Sequence, residues 1–253
     1  MASSQVKSTK TSTISIGLCG AAGRMGREIF RSVALSSDIH IVKAYETEEH
    51  RFLGAKLGDA VFEADTVDSF LEDCQVFVDF SAPPQRVLDH LKIAAERKVG
   101  AIVGSTGIDD KTRDAMQKFA QKIPLLYAAN MSLGVNVLMA LAQKTQEILG
   151  GGFDVDIIET HHRGKQDAPS GTSLMIEQQL RLVDKEVEVR HHSVRAGDVV
   201  GEHTVQFTGI GERLELIHRA TSREAFTKGT MAAIRFIARQ QPGFYDMRRV
   251  LGI

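Results

Sequence analysis

Thr13–Gly26 reads TISIGLCGAAGRMG, an apolar run that breaks into glycines at positions 20, 23 and 26. Through Cys19 the residues are those of a buried strand. From Arg24 to about Leu35 the apolar residues recur at helical spacing. Strand, glycine turn and helix in that order expose backbone amides and aim the positive end of a helix at one point. A pyrophosphate suits that point, and the context separates a dinucleotide-binding turn from chance glycines. The spacing is G-x-x-G-x-x-G rather than G-x-G-x-x-G, so a tight turn without a ligand also accounts for it.

Working outward, further short strands are expected at Ile39–Ala44, Val76–Phe80, Ala101–Val103 and Leu125–Ala128. Helical stretches lie between them near Pro84–Arg97 and Asp109–Gln121. The alternation predicts an α/β fold, a Rossmann-type doubly wound parallel sheet. Glu46 stands 20 residues beyond Gly26, just past the second strand. An acid there can accept hydrogen bonds from both ribose hydroxyls of an adenosine, though a solvated loop glutamate is the plain alternative. Thr47, not a cation, follows it, and Glu48 and Glu49 come next. A 2′-phosphate would meet negative charge unless Arg24 or Arg51 reaches in, so NADH should serve at least as well as NADPH. Gly104, Ser105 and Thr106 follow one strand; Ala128, Ala129, Asn130 and Met131 follow another. Both groups sit where strand ends line a nucleotide crevice, although ordinary turn chemistry explains them too.

After Asn130 the pattern changes. A long helix is expected over Gly134–Leu149, then strands at Phe153–Thr160, Val187–Arg195, His203–Thr208 and Arg213–Ala220 with one helix among them. This predicts a second, α+β domain with an open or mixed sheet, followed by a helix over Ser222–Gln240. Its most informative stretch is Glu159–Thr172, ETHHRGKQDAPSGT. Ser170 is of the type that caps a helix start, which leaves the amides of Gly171 and Thr172 pointing outward. With Lys165 they make a carboxylate site, and His161 or His162 can supply a proton near neutral pH. A solvated polar loop is one alternative. Zinc is another, but no third ligand stands at sensible spacing and distant residues would have to complete it. His191 and His192, on an alternating polar strand, are expected at the surface.

Composition narrows the classes. A chain of 253 residues with 43% hydrophobic and 25% charged residues can bury the cores of two ordinary domains. Its formal net charge of -1 gives no reason to expect nucleic acid or an anionic membrane as partner. No apolar run is long enough to span a bilayer. Residues 1–12 are rich in Ser, Thr and Lys and read as a disordered lead-in. Cys19 and Cys74 read as buried free thiols of a reducing compartment, so the expected location is cytoplasmic.

The block from His161 to Thr172 resembles the E-x-H-H-x-x-K-x-D-A-P-S-G-T signature of the 4-hydroxy-tetrahydrodipicolinate reductase family at every fixed position. The early G-x-x-G-R-M-G, Arg195–Asp198, Gly201–His203, Ser222–Arg223 and Phe244–Arg248 are also similar to it. The resemblance implies a dinucleotide-binding domain over 13–131 completed by 224–253. It also implies a central domain over 132–223 that binds a small dicarboxylate and builds a homotetramer. NADH or NADPH would be the cofactor, held by Gly20, Ala21, Ala22, Gly23, Arg24 and Met25, by Glu46, and by the 104–106 and 128–131 groups. His161 would be the proton donor, Lys165 the second catalytic group, and His162, Gly171, Thr172 and Arg223 substrate contacts, with no metal. The implied reaction removes the ring hydroxyl as water and adds hydride to the conjugated imine, in diaminopimelate and lysine synthesis. Two departures stand out: Thr47 replaces the arginine common after the acid, and the connection before Arg195 is short.

Overall fold

The computed structural model describes residues 13–66, 68–83 and 86–253. The expected lead-in over 1–12 therefore lies outside the described residues, as does Pro84 at the expected start of a helix. By contact the chain divides into two compact units. Residues 13–127 with Ala233–Tyr245 form the first, and Ala128–Ala232 with Asp246–Ile253 the second.

The first unit is built on an eight-stranded sheet. Its strands are β1 (Ile14–Cys19), β2 (Ile39–Glu46), β3 (Lys56–Leu57), β4 (Ala60–Ala64), β5 (Val76–Asp79), β6 (Gly100–Val103), β7 (Pro124–Tyr127) and β12 (Gly243–Tyr245). Their order is β12-β7-β6-β5-β1-β2-β4-β3, and every pairing is parallel except β3 with β4. All four residues of β5 and of β6 are buried, as strands covered on both faces must be. The direction of winding reverses between β1 and β5, and a ligand crevice opens at such a switch point. Helices α1 (Arg24–Ala34), α2 (Val87–Arg97) and α3 (Asp110–Ala120) connect the strands. Gly26, Ile29 and Val33 form the buried stripe of α1. Phe77, Leu91, Val103, Met116 and Leu125 interlock in the core with Tyr45 and Phe70.

The second unit carries α4 (Leu133–Leu149), α5 (Gly171–Val183) and a mixed sheet of β8 (Asp154–His161), β9 (Val189–Arg195), β10 (Gly201–Gly209) and β11 (Glu212–Ala220). Its order is β11-β10-β8-β9, antiparallel except for β8 with β9. Val155, Ile157, Val205 and Phe207 pack against Val135, Met139, Ile176 and Leu180 of the two helices. Helix α6 (Glu224–Ile237) contains the division between units, and α7 (Met247–Leu251) closes the chain.

Three differences from the sequence reading have physical causes. Strands β3, β4 and β12 were not anticipated, because two to five residues make too short a period-2 signal to stand out from loops. Helix α7 was not anticipated either, and Asp246 caps it by accepting from the Arg249 amide at 3.0 Å. The C-terminal complement of the first unit is only Ala233–Tyr245, not 224–253. Arg248 instead donates to Gln143 and Gln179 of the second unit at 2.7 and 3.2 Å.

Candidate active site

The nucleotide end lies in the first unit. Gly20 adopts a φ of 74°, and a Cβ there would stand 2.7 Å from the Phe80 carbonyl oxygen. Gly23 is the N-cap of α1, with no side-chain cap and no acidic residue in the first turn. By contrast α3, α4 and α5 begin on Asp109, Ser132 and Ser170, each of which accepts from an amide of its own helix. The start of α1 therefore offers amides and a positive dipole end that no side chain answers. Glu46, at the end of β2, accepts from the Ala22 amide at 2.7 Å, which brings the acid into the glycine turn. Arg24 is exposed at the helix start, and the Arg51 guanidinium lies 4.8 Å from the centre of the Phe52 ring. Gly104 packs so closely that a Cβ would stand 2.3 Å from the Phe80 ring. Ser105 is buried and donates to the Ser81 carbonyl at 3.0 Å, while Thr106 is exposed.

A buried ionic group below these loops carried no role in the sequence reading. His90 Nδ1 is 2.9 Å from Asp79 and its Nε2 is 3.2 Å from Asp65, which also receives Arg86 at 2.5 Å. Burial alone would lower the pKa of His90, but the bonds and charges of Asp79 and Asp65 outweigh it and raise the pKa. Asp79 also accepts from the Ser81 amide and hydroxyl at 2.8 and 2.6 Å, so the cluster braces the chain just beyond β5. Asp79 was visible as a charge ending an apolar run. Its partners, 11 and 14 residues away, were not.

The chemical end lies in the second unit. Strand β8 alternates Val155, Ile157, Glu159 and His161 onto its buried face, so an apolar core passes into a polar end along one strand. The register sets Ser193 beside Glu159 and Arg195 beside His161 on β9, with His203 of β10 opposite Glu159. Glu159 has no solvent exposure. Its carboxylate accepts from Arg195 at 2.8 and 3.0 Å and from His161 Nδ1. Burial opposes ionisation of Glu159, yet the bonds from Arg195, Ser193 and His161 hold its pKa down at about 2. Burial lowers the pKa of His161, with Lys165 and Arg195 adding to the effect and Glu159 opposing it. His203 stacks edge-on to His161 with centroids 5.1 Å apart, and burial pushes its pKa down to about 4.

Ser170 caps α5 by accepting from the Ser173 amide at 3.2 Å, as its residue type required. Lys165 Nζ sits 2.8 Å from the Asp167 carboxylate, whose pKa that contact lowers, with the nearby Gly171 amide adding to the effect. Lys165, expected to grip a carboxylate, thus already holds one belonging to the chain. Thr172 accepts from the Asn130 amide group at 3.0 Å, and Met131 is buried. His162 is half-buried and lies in the turn whose carbonyl accepts from the Lys165 amide. Arg223 is exposed just before α6, and among the described residues it forms no hydrogen bond or ion pair with this group. Gly20–Met25, Glu46 and Gly104–Thr106 belong to the first unit, and Ala128–Met131 to the second.

The expectation that both His191 and His192 lie at the surface needs correction. His192 is exposed, but His191 is on the face of β9 turned to α5, 2.9 Å from both Ser173 and Glu177. Alternation in a strand separates neighbours onto opposite faces, so a His pair cannot share one environment. Folding also supplies ligand types that spacing did not show. Glu159, His161 and His203 bring candidate atoms within 4.8 Å of one another, as do Cys19, Asp79 and His90. Arg195 beside Glu159 opposes a cation in the first set. In the second, both His90 nitrogens already meet carboxylates, and burial keeps the Cys19 thiol protonated.

Family models of dihydrodipicolinate reductase match the chain over residues 14–131 for the N-terminal part and 134–251 for the C-terminal part. The chain belongs to this family. A curated 4-hydroxy-tetrahydrodipicolinate reductase of Thiobacillus denitrificans is 35% identical, over 95% of this chain and 99% of the relative. Among solved structures, the dipicolinate-bound dihydrodipicolinate reductase of Paenisporosarcina sp. TG-14 superposes with a TM-score of 0.77 at 23% identity. That match covers 92% of this chain and 97% of the other. A myo-inositol dehydrogenase of Corynebacterium glutamicum shares the fold at a TM-score of 0.64 and 16% identity, over 92% and 90% of the two chains. For a dihydrodipicolinate reductase, the open α1 start with Glu46 beside it fits the NADH or NADPH that the family uses. No helix among the described residues is long and apolar enough to cross a membrane.

Proposed function

We infer that this chain reduces 4-hydroxy-tetrahydrodipicolinate to tetrahydrodipicolinate, in diaminopimelate and lysine synthesis, with His161 as proton donor and Lys165 as second catalytic group. NADH or NADPH supplies the hydride once the ring hydroxyl has left as water. The 20–25 turn, Glu46, and the 104–106 and 128–131 segments would hold the cofactor. The chain's own residues bind, orient and protonate.

Lys165 and the α5 start at Gly171 would form a carboxylate site, and the observation that carries this reading is the 2.8 Å contact of Lys165 Nζ with the Asp167 carboxylate. The Asp167 side chain is 57% exposed, so it can yield to an incoming carboxylate. Thr172 and His162 border the same turn and helix start. Hydride arrival leaves electron density on the ring, and the imidazole of His161 delivers the compensating proton. A positioned general acid is worth roughly 10²–10⁴-fold. The dipicolinate bound by the Paenisporosarcina relative supports a ring dicarboxylate as the substrate class.

A homotetramer and a cytoplasmic location complete the proposal. Val194 and Ile217 are exposed on the sheet face turned away from α4 and α5, and such a face can be covered by another copy. The test is a coupled assay in which the substrate is generated fresh and offered with NADH or NADPH. Both cofactors should be oxidised, with the NADPH to NADH ratio of kcat/KM not far above one, since Thr47 offers no charge and Arg51 lies over Phe52. No oxidation with either cofactor would reject the function, and a ratio far above one would reject the cofactor reading alone.

A further inference from the structure

We propose that Glu159 and Arg195 are a positioning pair for His161: Glu159 fixes the proton on Nδ1, which leaves Nε2 as the reacting atom, and Arg195 clamps both Glu159 and the loop that carries Lys165. The proposal rests on His161 being the proton donor.

The geometry leaves little freedom. A carboxylate accepts and cannot donate, so the nitrogen facing Glu159 must carry the hydrogen. That nitrogen is Nδ1. Arg195 meets Glu159 with both terminal nitrogens, and one of them also donates to the Asp167 carbonyl. One guanidinium thus joins the carboxylate behind the imidazole to the backbone between Lys165 and Ser170. The strand edge adds to this: the Ala196 amide donates to the His161 carbonyl at 2.9 Å, and the Arg163 amide to Gly197 at 3.1 Å.

The charges around His161 come from four elements. Glu159 shares its strand; Ser193 and Arg195 face it from β9; His203 faces it from β10, held through Ser170 at the start of α5; and Lys165 with Asp167 lies in the following loop. Glu159 and Arg195 cancel, as do Lys165 and Asp167, and His203 is neutral. A buried Glu159 alone would trap His161 as an imidazolium, and Arg195 alone would keep it from accepting a proton. The pair does neither, which leaves the ring able to give a proton at Nε2 and regain it.

The two halves of the pair therefore have opposite signatures. In ¹⁵N-labelled protein, long-range ¹H–¹⁵N spectra report the His161 tautomer and pKa without any turnover. Neutral His161 should be the Nδ1–H form. R195M should raise its pKa by about one unit or more, and E159Q should lower it by a similar amount. R195K, which keeps the charge, should return it toward the wild-type value. Both R195M and E159Q should lower kcat at least about tenfold, part of what general acid catalysis supplies, with NADH affinity by fluorescence unchanged within about threefold. The double variant E159Q/R195M leaves no unpaired charge and should show a His161 pKa between those of the single variants even if one of them folds poorly. An Nε2–H tautomer, or shifts of the same sign or none, would overturn the proposal. H161Q separates this from the parent reading: full turnover in H161Q would remove His161 from the reaction, whatever Glu159 and Arg195 do to its titration.

Discussion

Replacing Gly26 by Ala should loosen the nucleotide turn although alanine is the better helix residue. Gly26 lies in the first turn of α1, where propensity alone would favour Ala by about 1 kcal/mol. A Cβ at this position would stand 2.3 Å from the Gly20 carbonyl oxygen and 2.5 Å from that of Ala21. Real Cβ atoms do not approach backbone closer than 3.0 Å, so the Gly20–Ala21 peptide must retreat by about 0.7 Å. That peptide leads directly to the Ala22 amide bonded to Glu46. Misplacing a binding group by about 1 Å can cost roughly 10²-fold, so NADH affinity should fall by about 10- to 100-fold. Overpacking of this kind costs about 1–3 kcal/mol, a drop of several degrees in Tm for a chain of this size. Fluorescence titration with NADH and thermal unfolding by circular dichroism read the two effects. G151A is the control, because a Cβ there meets nothing within 4 Å. A G26A protein with wild-type NADH affinity and Tm would refute the claim that close backbone approach builds this site.

H161Q should lower kcat by roughly 10²–10⁴-fold while the dissociation constant for NADH stays within about threefold; steady-state rates and fluorescence titration check this. For K165A, kcat should fall and substrate KM rise, and inhibition by pyridine-2,6-dicarboxylate should weaken about tenfold or more, since an ion-assisted bond is lost; a change in thermal stability alone would make Lys165 structural. The raised pKa of His90 gives a stability that depends on pH with a definite sign. The folded chain binds that proton more tightly than the unfolded chain, so the contribution is full below the ordinary histidine value and vanishes as pH climbs through the raised one. Urea unfolding of H90Q against wild type should therefore show a gap that narrows from pH 5.5 to pH 9. A gap that widens would mean that His90 is neutral between its two aspartates.

What the linear chain disclosed is what local physics controls. The glycines that run from the end of β1 into α1 had to sit where backbone meets backbone, and Gly20 and Gly26 do. Ser170 had to cap α5 because a serine before Gly-Thr and an apolar helix has that one favourable use. Period-2 and period-3.6 patterns located nearly every long element, while β3 and α7 fell below the length at which a period can be read. His191 was misjudged for a related reason: alternation says that it and His192 face opposite ways, but not which face is covered.

The candidate proton-handling residues, the proposed carboxylate grip and the glycine turn could be located in contiguous sequence, because each is made by residues within one strand end, one turn or one helix start. The residues alone left His161 and His162 as alternatives. The environment that sets how they work could not be located there. Arg195 reaches Glu159 from 36 residues away, His203 lies 33 from the Ser170 it bonds, and His90 joins aspartates 11 and 25 residues distant. Strand register brings Arg195 to Glu159, while the packing of α2 and α5 against the sheets brings His90 and Ser170 to their partners. Both depend on whole sheets and layers rather than on any local preference. Charge balance, tautomer and pKa are sums over such neighbours, so only the folded chain could decide them.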